Sequence, residues 1–349
     1  MSKKYKITLV GHFAEGKDFN DGQTVKTRNL YKALANQYGD AAVKKVDTCG
    51  FLKRIIPFVF ENAKSFLASS NTIIVPAHNG VKIFVPFFSF LNLFFKRNLN
   101  YAVVGGWLPE FLTNHKLVSK MLKKFSGIYV ETGSMKTDLE KQGFTNVYLL
   151  PNFKYIKPLD EDELVYNEKA PHSLCIFSRI MQQKGVEDAI DVVKQINNEA
   201  GNTVFTLDLY GPVDTAYIER FEEVKANMPE YVSYKGIVDS EKSVDVIKNY
   251  FALIFPTKFY TEGVPGTLID AMAAGVPVIS SLWVNHKDVF VEGVTGWGYE
   301  FDNLKQFKAL LLKAAQNPKE FLCMKKSALN KASDFEPTKA ISELTKRID

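Results

Sequence analysis

Two carboxylates stand in a stretch that otherwise consists mainly of small and aliphatic residues. Glu262 and Asp270 lie in TEGVPGTLIDAMAAGVPVISS, residues 261–281. A helix beginning near Val264 to Gly266 would place Asp270 in its second turn, roughly 8 Å beyond Glu262. Acids so placed could accept hydrogen bonds from sugar hydroxyls at either end of a bound diphosphate. Alternatively, Glu262 is a helix-start acid and Asp270 is the partner of a nearby Lys.

The ends of this helix can also be predicted. Pro265 suits a first helical position, because its missing N–H would be unpaired there in any case. Gly275 is a candidate left-handed cap, and Pro277 follows where the chain turns into the next strand. Small side chains would allow close packing of the helix against a sheet, namely those of Ala271, Ala273 and Ala274.

Two cations lie in a second segment, FSRIMQQKG. Arg179 and Lys184 follow an apolar strand at 173–178, and Gly185 opens a predicted helix. Two cations beside a helix N-terminus form an anion site, because the unpaired N–H groups add to the side-chain charge. A pair of solvated surface charges is the alternative from this fragment alone.

Short β-branched runs alternate with helical patterns, in two series. The first series is KITLV, NTIIVP, YAVVGG, GIYVET and VYLLP, and the second is SLCIFS, TVFTLDLYG, YVSYKG, FALIFP and VPVISS. Helices are predicted over 23–37, 109–124 and 185–199, and through 302–347, where FEPTKAISELTKRI forms a final amphipathic helix. This alternation predicts the α/β class, with two Rossmann-like doubly wound domains.

The predicted domain limits follow from these series. Residues 151–171 are rich in Pro, Asn and acids and are interpreted as a linker. The domains are then 1–155 and 156–330, followed by a C-terminal helix over 331–349 that can pack back on the first domain. Ligands of open parallel sheets bind at the carboxyl ends of the strands, so we expect the two domains to face a cleft.

Composition limits the classes of function. The chain has 349 residues, of which 46% are hydrophobic, enough for substantial cores. Its three cysteines are far apart and odd in number, which favours neither a disulfide framework nor a metal-ligand set. The N-terminal apolar run is short and reads as a first strand rather than a signal peptide. These features predict a reduced, cytoplasmic setting.

The charge is divided unevenly along the chain. Residues 1–150 carry 21 Lys and Arg against 10 Asp and Glu, a net of +11, whereas the remainder has a net of −6. Nucleic acid is not favoured as a partner, because no DNA- or RNA-binding signature accompanies the basic half.

A basic helix is predicted over 109–125. Four lysines would share one face, Lys116, Lys120, Lys123 and Lys124, and apolar residues would occupy the other: Leu117, Val118, Met121, Leu122 and Phe125. The apolar segment 81–97 contains Pro86 and Asn92 and is too short to span a membrane. We therefore predict peripheral binding to an anionic membrane surface. A solvated face over a buried core explains the same geometry.

These motifs together resemble the donor site of family four glycosyltransferases, which are retaining enzymes of the GT-B architecture. The resemblance rests on SRIMQQKG, on FYTEGVPGTLIDAMAAGVPVISS, on YKG at 234–236 and on VEGVTGWGYE at 291–300. It covers the second domain, whereas the first domain matches only in its general pattern. It implies transfer of a sugar from a nucleotide diphosphate sugar, the co-substrate, without a metal or other cofactor.

The resemblance also implies roles for single residues. Arg179 and Lys184 would bind the diphosphate, Glu262 would contact the transferred sugar, and Asp270 would hold the ribose hydroxyls. The other donor-binding residues implied are Gly22, Gly211, Lys235, Gly236, Gly263, Val264, Pro265, Gly266, Thr267 and Leu268. Among these, 263–268 would offer backbone N–H groups to the phosphates, and the YKG loop would lie near the nucleobase.

The sequence departs from the family pattern at several points. Asp270 stands where Glu is usual, and the segment Gly105–Trp107 stands where many members carry a His that contacts the sugar. His78 follows an earlier strand and is an alternative wall for the sugar site, or a structural residue. The glycine loop before the first helix is a weaker signal, which places Gly22, Gln23 and Thr24 near donor or acceptor.

The predicted function is retaining sugar transfer to a glycan or lipid-linked acceptor, in polysaccharide or cell-envelope biosynthesis. Two alternatives remain open at this stage, a nucleotide-sugar epimerase of similar fold and a non-catalytic nucleotide-sugar-binding subunit. A Rossmann dehydrogenase is disfavoured, because no G-x-G-x-x-G follows the first strand.

Overall fold

The computed structural model describes residues 4–17 and 21–348. The chain divides into two compact units. One contains the residues up to Lys154 together with those from Glu336 onward, and the other is Tyr155–Phe335. Each unit has its own hydrophobic core.

The first unit is built on a six-stranded parallel sheet. Its strands are β1 Tyr5–Gly11, β2 Val43–Asp47, β3 Ser69–Val75, β4 Asn98–Ala102, β5 Gly127–Val130 and β6 Val147–Leu149. They lie in the order β2-β1-β3-β4-β5-β6. Its helices are α1 Gly22–Tyr38, α2 Ile55–Ala68, α3 His78–Phe95, α4 Leu108–Asn114, α5 Lys116–Leu122 and α6 Gly133–Lys141.

The second unit repeats this plan. Its strands are β7 His172–Phe177, β8 Phe205–Tyr210, β9 Val232–Gly236, β10 Ala252–Phe255, β11 Val278–Leu282 and β12 Gly296–Glu300, in the parallel order β12-β11-β10-β7-β8-β9. Its helices are α7 Val186–Ala200, α8 Ile218–Ala226, α9 Ser243–Ile247, α10 Gly266–Ala273, α11 Leu304–Gln316, α12 Pro318–Leu322 and α13 Lys325–Ala332. The predicted pair of Rossmann-like doubly wound domains is confirmed.

The chain ends in two short helices that belong to the first unit, α14 Pro337–Ala340 and α15 Ser342–Ile348. Leu344 is fully buried, and the Arg347 guanidinium lies 3.7 Å from the centre of the ring of Tyr148, the central residue of β6. The prediction of one continuous helix over 331–349 is wrong. Pro337 lacks an amide proton and suits a first helical turn, so a new helix begins there.

The prediction of a single helix over 109–125 is also wrong. The helical pattern breaks at His115, where the backbone leaves the helical region (φ −121°, ψ 63°). The His115 ring stacks on Phe111 with centroids 3.7 Å apart, and its Nδ1 lies 2.8 Å from the Phe111 carbonyl oxygen. α4 therefore ends at Asn114, and α5 begins as a separate helix at Lys116. Leu117, expected on the buried face, is consequently exposed.

Two strands were not anticipated by the periodicity. β2 carries Lys44 and Lys45 at its centre, and β12 contains two glycines, so neither is a continuous apolar run. Both lie at the outer edges of their sheets. Over residues 4–17 and 21–348, no helix is both long and apolar enough to cross a membrane.

Candidate active site

The candidate residues of the second unit follow two neighbouring strands. β7 leads to β8 on one side and pairs with β10 on the other, so the strand order reverses between them. In open α/β sheets such a reversal opens a crevice at the carboxyl ends of the strands, where ligands bind. Arg179 and Lys184 follow β7, and Glu262 follows β10.

Backbone contacts fix the loops after β7 and β10 against each other. Gly185 has φ +69°, and a Cβ there would lie 1.9 Å from the Pro256 carbonyl oxygen, so only glycine fits. The Lys258 amide donates to the Gln183 carbonyl at 2.8 Å, and the Lys258 ammonium lies 2.7 Å from the Asp188 carboxylate. These contacts hold Lys184 beside the loop that carries Glu262.

Lys184 and Glu262 form a direct ion pair, with both side chains more than four-fifths buried. Thr257 donates its hydroxyl to the same carboxylate oxygen of Glu262 at 3.0 Å. The Asn285 amide donates to the Glu262 carbonyl at 2.7 Å and so fixes the backbone. The structure thus brings together one predicted phosphate ligand and the predicted sugar ligand.

Arg179 contacts a different partner. Its Nη1 lies 3.4 Å from Asp214 Oδ2, and more than a third of the side chain is exposed. The turn beside it depends on Gly211, whose φ is +131° and whose Cβ would lie 2.0 Å from the Ser178 carbonyl oxygen. Gly211 therefore allows the chain after β8 to approach the chain after β7 closely.

The N-terminus of α10 follows Glu262 directly. Pro265 is the N-cap and the helix begins at Gly266, so the prediction of Pro265 as the first helical residue is wrong by one position. The Pro265 backbone is extended (φ −66°, ψ 126°), which is outside the helical region. No side chain of the described residues caps this end. The Thr267 hydroxyl is buried and finds no partner in residues 4–17 and 21–348.

The remaining members of this segment bury their side chains or carry none. Val264 and Leu268 place their side chains in the hydrophobic core, and Gly263 is buried. A helix end without a side-chain cap presents backbone N–H groups and the positive end of the helix dipole, which suits an anion.

Asp270 lies one turn into α10 and is nearly fully buried. The Ser243 hydroxyl at the start of α9 donates to Asp270 Oδ1 at 3.0 Å. This contact ties α9 to α10, a structural role that the sequence did not indicate.

The YKG loop ends β9. The Lys235 ammonium lies 3.5 Å from Asp208 Oδ1, and Gly236 has φ +79° with open space around it. Tyr250 donates to the other oxygen of Asp208 at 2.7 Å. Burial, followed by this hydrogen bond, raises the pKa of Tyr250 above its ordinary range. Tyr250 therefore stays a neutral donor.

In the first unit, Gly22 is the exposed first residue of α1. Asp21 caps this helix and accepts from the amides of Gln23 and Thr24, each at 3.0 Å. Burial opposes ionisation of Asp21, but the hydrogen bonds from Thr24 and the nearby His12 hold its pKa below the ordinary value. Residues 18–20 of the predicted glycine loop lie outside the described residues.

His78 and the segment Gly105–Trp107 meet at the carboxyl ends of β3 and β4. The rings of His78 and Trp107 lie 4.9 Å apart, and Phe111 lies 5.1 Å from His78. The Gly105 amide donates to Glu131 at 3.1 Å. The two candidate walls for a sugar site are therefore parts of one aromatic cluster.

A buried ion pair supports this edge of the first sheet. The Lys26 ammonium lies 2.6 Å from Glu131 Oε1 and donates to the Val103 carbonyl at 2.7 Å. Burial lowers the pKa of Lys26, while the charge of Glu131 acts in the opposite direction. Neither residue was singled out from the sequence, since a Lys and a Glu more than a hundred positions apart give no local signal.

The four predicted membrane lysines do not share one helix face. Lys116 and Lys120 lie on α5, Lys123 is its C-cap, and Lys124 lies beyond it. The Lys123 ammonium donates to the Gln142 carbonyl at 2.7 Å and lies over the Phe144 ring. Lys120 and Lys124 instead line a groove between α3 and α5.

Several partners in the candidate site were missed by sequence reasoning. Thr257 lies two residues after the end of β10, so its position at the carboxyl end of a strand was a usable signal. Asp214, Ser243 and Asn285 gave none, because each reaches its partner through tertiary folding.

Comparison with known proteins finds a family match within the second unit. Residues 171–317 match the family described as "Glycosyl transferases group 1". The chain is also 25% identical over 154 residues to the amylovoran biosynthesis glycosyltransferase AmsK of Erwinia amylovora, covering 42% of this chain and 36% of that protein. An uncharacterized glycosyltransferase of Methanocaldococcus jannaschii is 20% identical over 210 residues, with coverage of 58% and 53%. The matches thus span about half or less of these relatives.

Solved structures share the fold over nearly the whole chain. Anabaena HepE, solved in complex with UDP, gives a TM-score of 0.75 at 14% identity and covers 99% of both chains. Sucrose-phosphate synthase of Thermosynechococcus elongatus gives a TM-score of 0.77 at 15% identity, covering 98% of this chain and 97% of its own. The predicted GT-B architecture is confirmed.

Proposed function

We propose that this chain, whose residues 171–317 match the group 1 glycosyl transferases, moves a sugar from a nucleotide diphosphate sugar to a hydroxyl group of an acceptor. The observation that carries the proposal is the Lys184–Glu262 ion pair at the strand-order reversal, immediately before the uncapped N-terminus of α10. A cation, a carboxylate and a set of backbone donors are the groups that a phosphate and an adjoining sugar require.

The diphosphate would lie between Lys184, Arg179 and the start of α10. Cleavage of the bond between the sugar and the phosphate oxygen leaves negative charge on the diphosphate. Fixed donors at the place where this charge develops lower the activation barrier. The unpaired Thr267 hydroxyl adds a donor at the same helix end.

A phosphate oxygen that reaches Lys184 would compete with Glu262 for the ammonium group. Glu262 would then accept hydrogen bonds from hydroxyls of the transferred sugar, with Thr257 still holding one carboxylate oxygen. The ion pair therefore orients both groups for the two adjoining parts of the donor.

The remaining donor contacts are proposed from the resemblance. Asp270 would bind the ribose hydroxyls, and Lys235 and Gly236 would lie near the base, with Gly211 shaping the turn and Gly22 near the donor. The complex of Anabaena HepE with UDP-glucose supports a uracil nucleotide as the first donor to test.

We also propose retention of configuration without a metal ion. The acceptor hydroxyl would attack from the face that the diphosphate leaves. Its oxygen forms the new bond to the sugar, and its proton passes to the departing phosphate oxygen. No covalent sugar–enzyme intermediate is required.

The acceptor is proposed to be a glycan or lipid-linked sugar in polysaccharide or cell-envelope assembly. The name of the Erwinia relative, a biosynthetic enzyme of amylovoran, supports the polysaccharide class. An anionic membrane surface is proposed as a further partner.

The proposal is tested with purified protein and UDP-, GDP- and ADP-sugars, by mass spectrometry of donor binding and hydrolysis. Loss of one charge-assisted contact removes roughly 1.5–3 kcal/mol, so Arg179→Ala and Lys184→Ala should each lower turnover about 10²-fold. Lys194→Ala, an exposed change in the same unit, is the matched control and should retain activity. Near-normal turnover in both site variants, with unchanged melting curves, would refute the assignment.

A further inference from the structure

The first unit exposes many large apolar side chains on three of its helices. Of the 21 large apolar residues that are exposed in the described chain, 11 lie on or beside α2, α3 and α5. We call these 11 the apolar face: Leu52, Ile55, Ile56, Val59, Phe60, Ile83, Phe90, Leu93, Phe94, Phe95 and Leu117. Scattered apolar residues are normal on a protein surface, but a contiguous set marks an interaction site.

The three helices are neighbours on one side of the first sheet. α2, α3 and α5 each connect strands in the same direction across the sheet, so right-handed crossovers place them on the same face. Phe58 of α2 and Phe84 of α3 lie 6.0 Å apart, and α3 and α5 enclose a common groove. The exposed side chains therefore form one surface.

The groove between α3 and α5 has a volume of about 470 Å³. Its apolar walls include Phe90, Leu93 and Leu117, which are all more than half exposed. Lys120 and Lys124 line the same groove. Leu99, at the start of β4, forms part of it, so the groove lies away from the carboxyl ends of the strands.

The charge of this region is strongly positive. Residues 51–126 contain 10 Lys and Arg against 2 Glu and no Asp, a net of +8. Neither α3 nor α5 contains an acidic residue. Lys116, Lys120 and Lys124 are exposed, and within the described part of the chain no ion pair joins them to a carboxylate. They are available to an external anion.

We propose that the apolar face docks on the anionic leaflet of a lipid membrane, with Lys120 and Lys124 meeting a lipid phosphate and the groove taking a hydrocarbon chain of that lipid. Protein interfaces are depleted of lysine, whereas lysines beside exposed Phe and Leu are typical of surfaces that lie in the membrane interface. Charge complementarity thus selects the lipid surface over a second copy of the chain.

This surface differs from the single basic helix face expected from the sequence. Its main contributors are the apolar residues of α2 and α3, and the lysines supplement them. Binding requires neither donor nor acceptor, so the proposed reaction and this surface are tested independently.

The test is co-sedimentation of the full chain with vesicles made of equal parts phosphatidylglycerol and phosphatidylcholine, or of phosphatidylcholine alone. We expect binding to the anionic vesicles that weakens with added salt. Each lysine should contribute about fivefold to partitioning, so the double variant Lys120→Gln/Lys124→Gln should weaken it about 25-fold at low salt. The control pair Lys305→Gln/Lys319→Gln, exposed lysines of the second unit, should bind like the parent.

A second pair of variants tests the apolar contribution. Phe90→Ser/Phe94→Ser removes two exposed rings and should weaken binding about tenfold or more without altering the melting curve. Ile218→Ser/Ile237→Ser, at exposed positions of the second unit, is the matched control. Equal binding by the parent and the Phe variant, or no preference for anionic vesicles, would overturn the proposal.

Occupation of the groove is tested with lipids brominated along the acyl chain. A tryptophan introduced by Leu117→Trp should be quenched by these vesicles, whereas one introduced by Ile237→Trp should not. Absence of quenching in vesicle-bound protein would refute the groove as a hydrocarbon site. A parent that sediments as a dimer, becomes monomeric on Phe90→Ser/Phe94→Ser and ignores vesicles would assign the face to self-association instead.

Discussion

Glu262 and Asp270 differ in burial and in partners, and this predicts different consequences of their removal. Glu262 shares an ion pair with Lys184, whereas Asp270 is buried against Ser243. A contact to the reacting sugar strengthens in the transition state, but a ribose contact is mostly uniform binding. With Glu262 on the sugar and Asp270 on the ribose, as proposed, Glu262→Gln should lower kcat about 10²-fold, and Asp270→Asn should mainly raise the KM for the donor. Steady-state kinetics with both variants measure this difference.

Binding of the free nucleotide diphosphate, which has ribose but no sugar, provides the control for this prediction. Asp270→Asn should weaken it, Glu262→Gln should hardly change it, and Asp270→Glu should keep measurable activity. Ser243→Ala removes the buried hydrogen bond without touching the carboxylate, and so separates a packing effect from a ribose contact. An inverted pattern would mean that the two acids bind opposite ends of the donor.

The buried ammonium group of Lys325 should make the stability of the protein depend on pH. Its ammonium is buried with no hydrogen-bond partner among the described residues, and burial lowers its pKa to about 8 from 10.5. The unfolded chain therefore binds more protons between these values, so this group makes stability rise with pH from about 8 to about 10.5. Lys325→Met should stabilise the protein by about 3 kcal/mol at pH 7, and the gain should shrink above pH 8.

Urea unfolding of parent and variant at pH 7 and at pH 10 measures this difference. Lys326→Met changes the exposed neighbouring lysine, which pairs with Glu161, and is the control. If Lys325→Met raised the unfolding free energy equally at both pH values, the lysine would not be the cause of the pH dependence.

Among single residues, the sequence predicts a side chain best where it lies in the loop that follows a strand. Lys184 and Glu262 follow β7 and β10, and the topology brings them into contact. Asp214 and Ser243 could not be predicted as partners of Arg179 and Asp270, because those contacts depend on how separate helices and turns pack.

Among the elements, the loop after β7 depends on a backbone approach that allows no side chain. Gly185 has φ +69°, and Gly185→Ala would place a Cβ 1.9 Å from the Pro256 carbonyl oxygen. Backbone strain and a steric clash therefore add together. We expect a loss of about 3 kcal/mol or more in unfolding free energy. Donor turnover should fall as well, since Lys184 precedes this glycine.

Gly201→Ala is the matched control for this element. Gly201 ends α7 at φ +67°, but nothing lies within 4 Å of the position of a Cβ. The change should therefore cost only the left-handed backbone penalty, about 1–2 kcal/mol. Equal urea midpoints for the two variants would contradict the close approach at Gly185.

The elements also show where periodicity fails as a guide. The strands with continuous apolar runs and α7 were predicted to within a few residues. In these elements, the apolar periodicity and the glycines at the ends indicate the same limits. The single helix over 109–125 was wrong, since a tertiary stacking of His115 on Phe111 interrupts an otherwise helical pattern. The edge strands β2 and β12 were missed because their polar and glycine content hides the apolar run.

In the whole molecule, each unit has a separate core, so core substitutions should act within one unit. Leu344→Ala on α15 removes a fully buried side chain of the first unit and should cost about 2–5 kcal/mol. Hydrogen exchange should then accelerate in β3 and β6 more than in β7 and β10. Leu311→Ala, equally buried on α11 of the second unit, should give the reverse pattern. Uniform acceleration by both variants would show that the units unfold together.

The return of α14 and α15 to the first unit affects how the protein is made. Domains usually fold in the order in which the ribosome delivers them. Here the second unit, Tyr155–Phe335, is a continuous segment, but the first also needs residues from Glu336 onward. Until these C-terminal residues leave the ribosome, the surface that buries Leu344 and the Tyr148 ring that lies under Arg347 stay exposed to water and to chaperones. The unit translated first is therefore completed last, after the second unit has been synthesised in full.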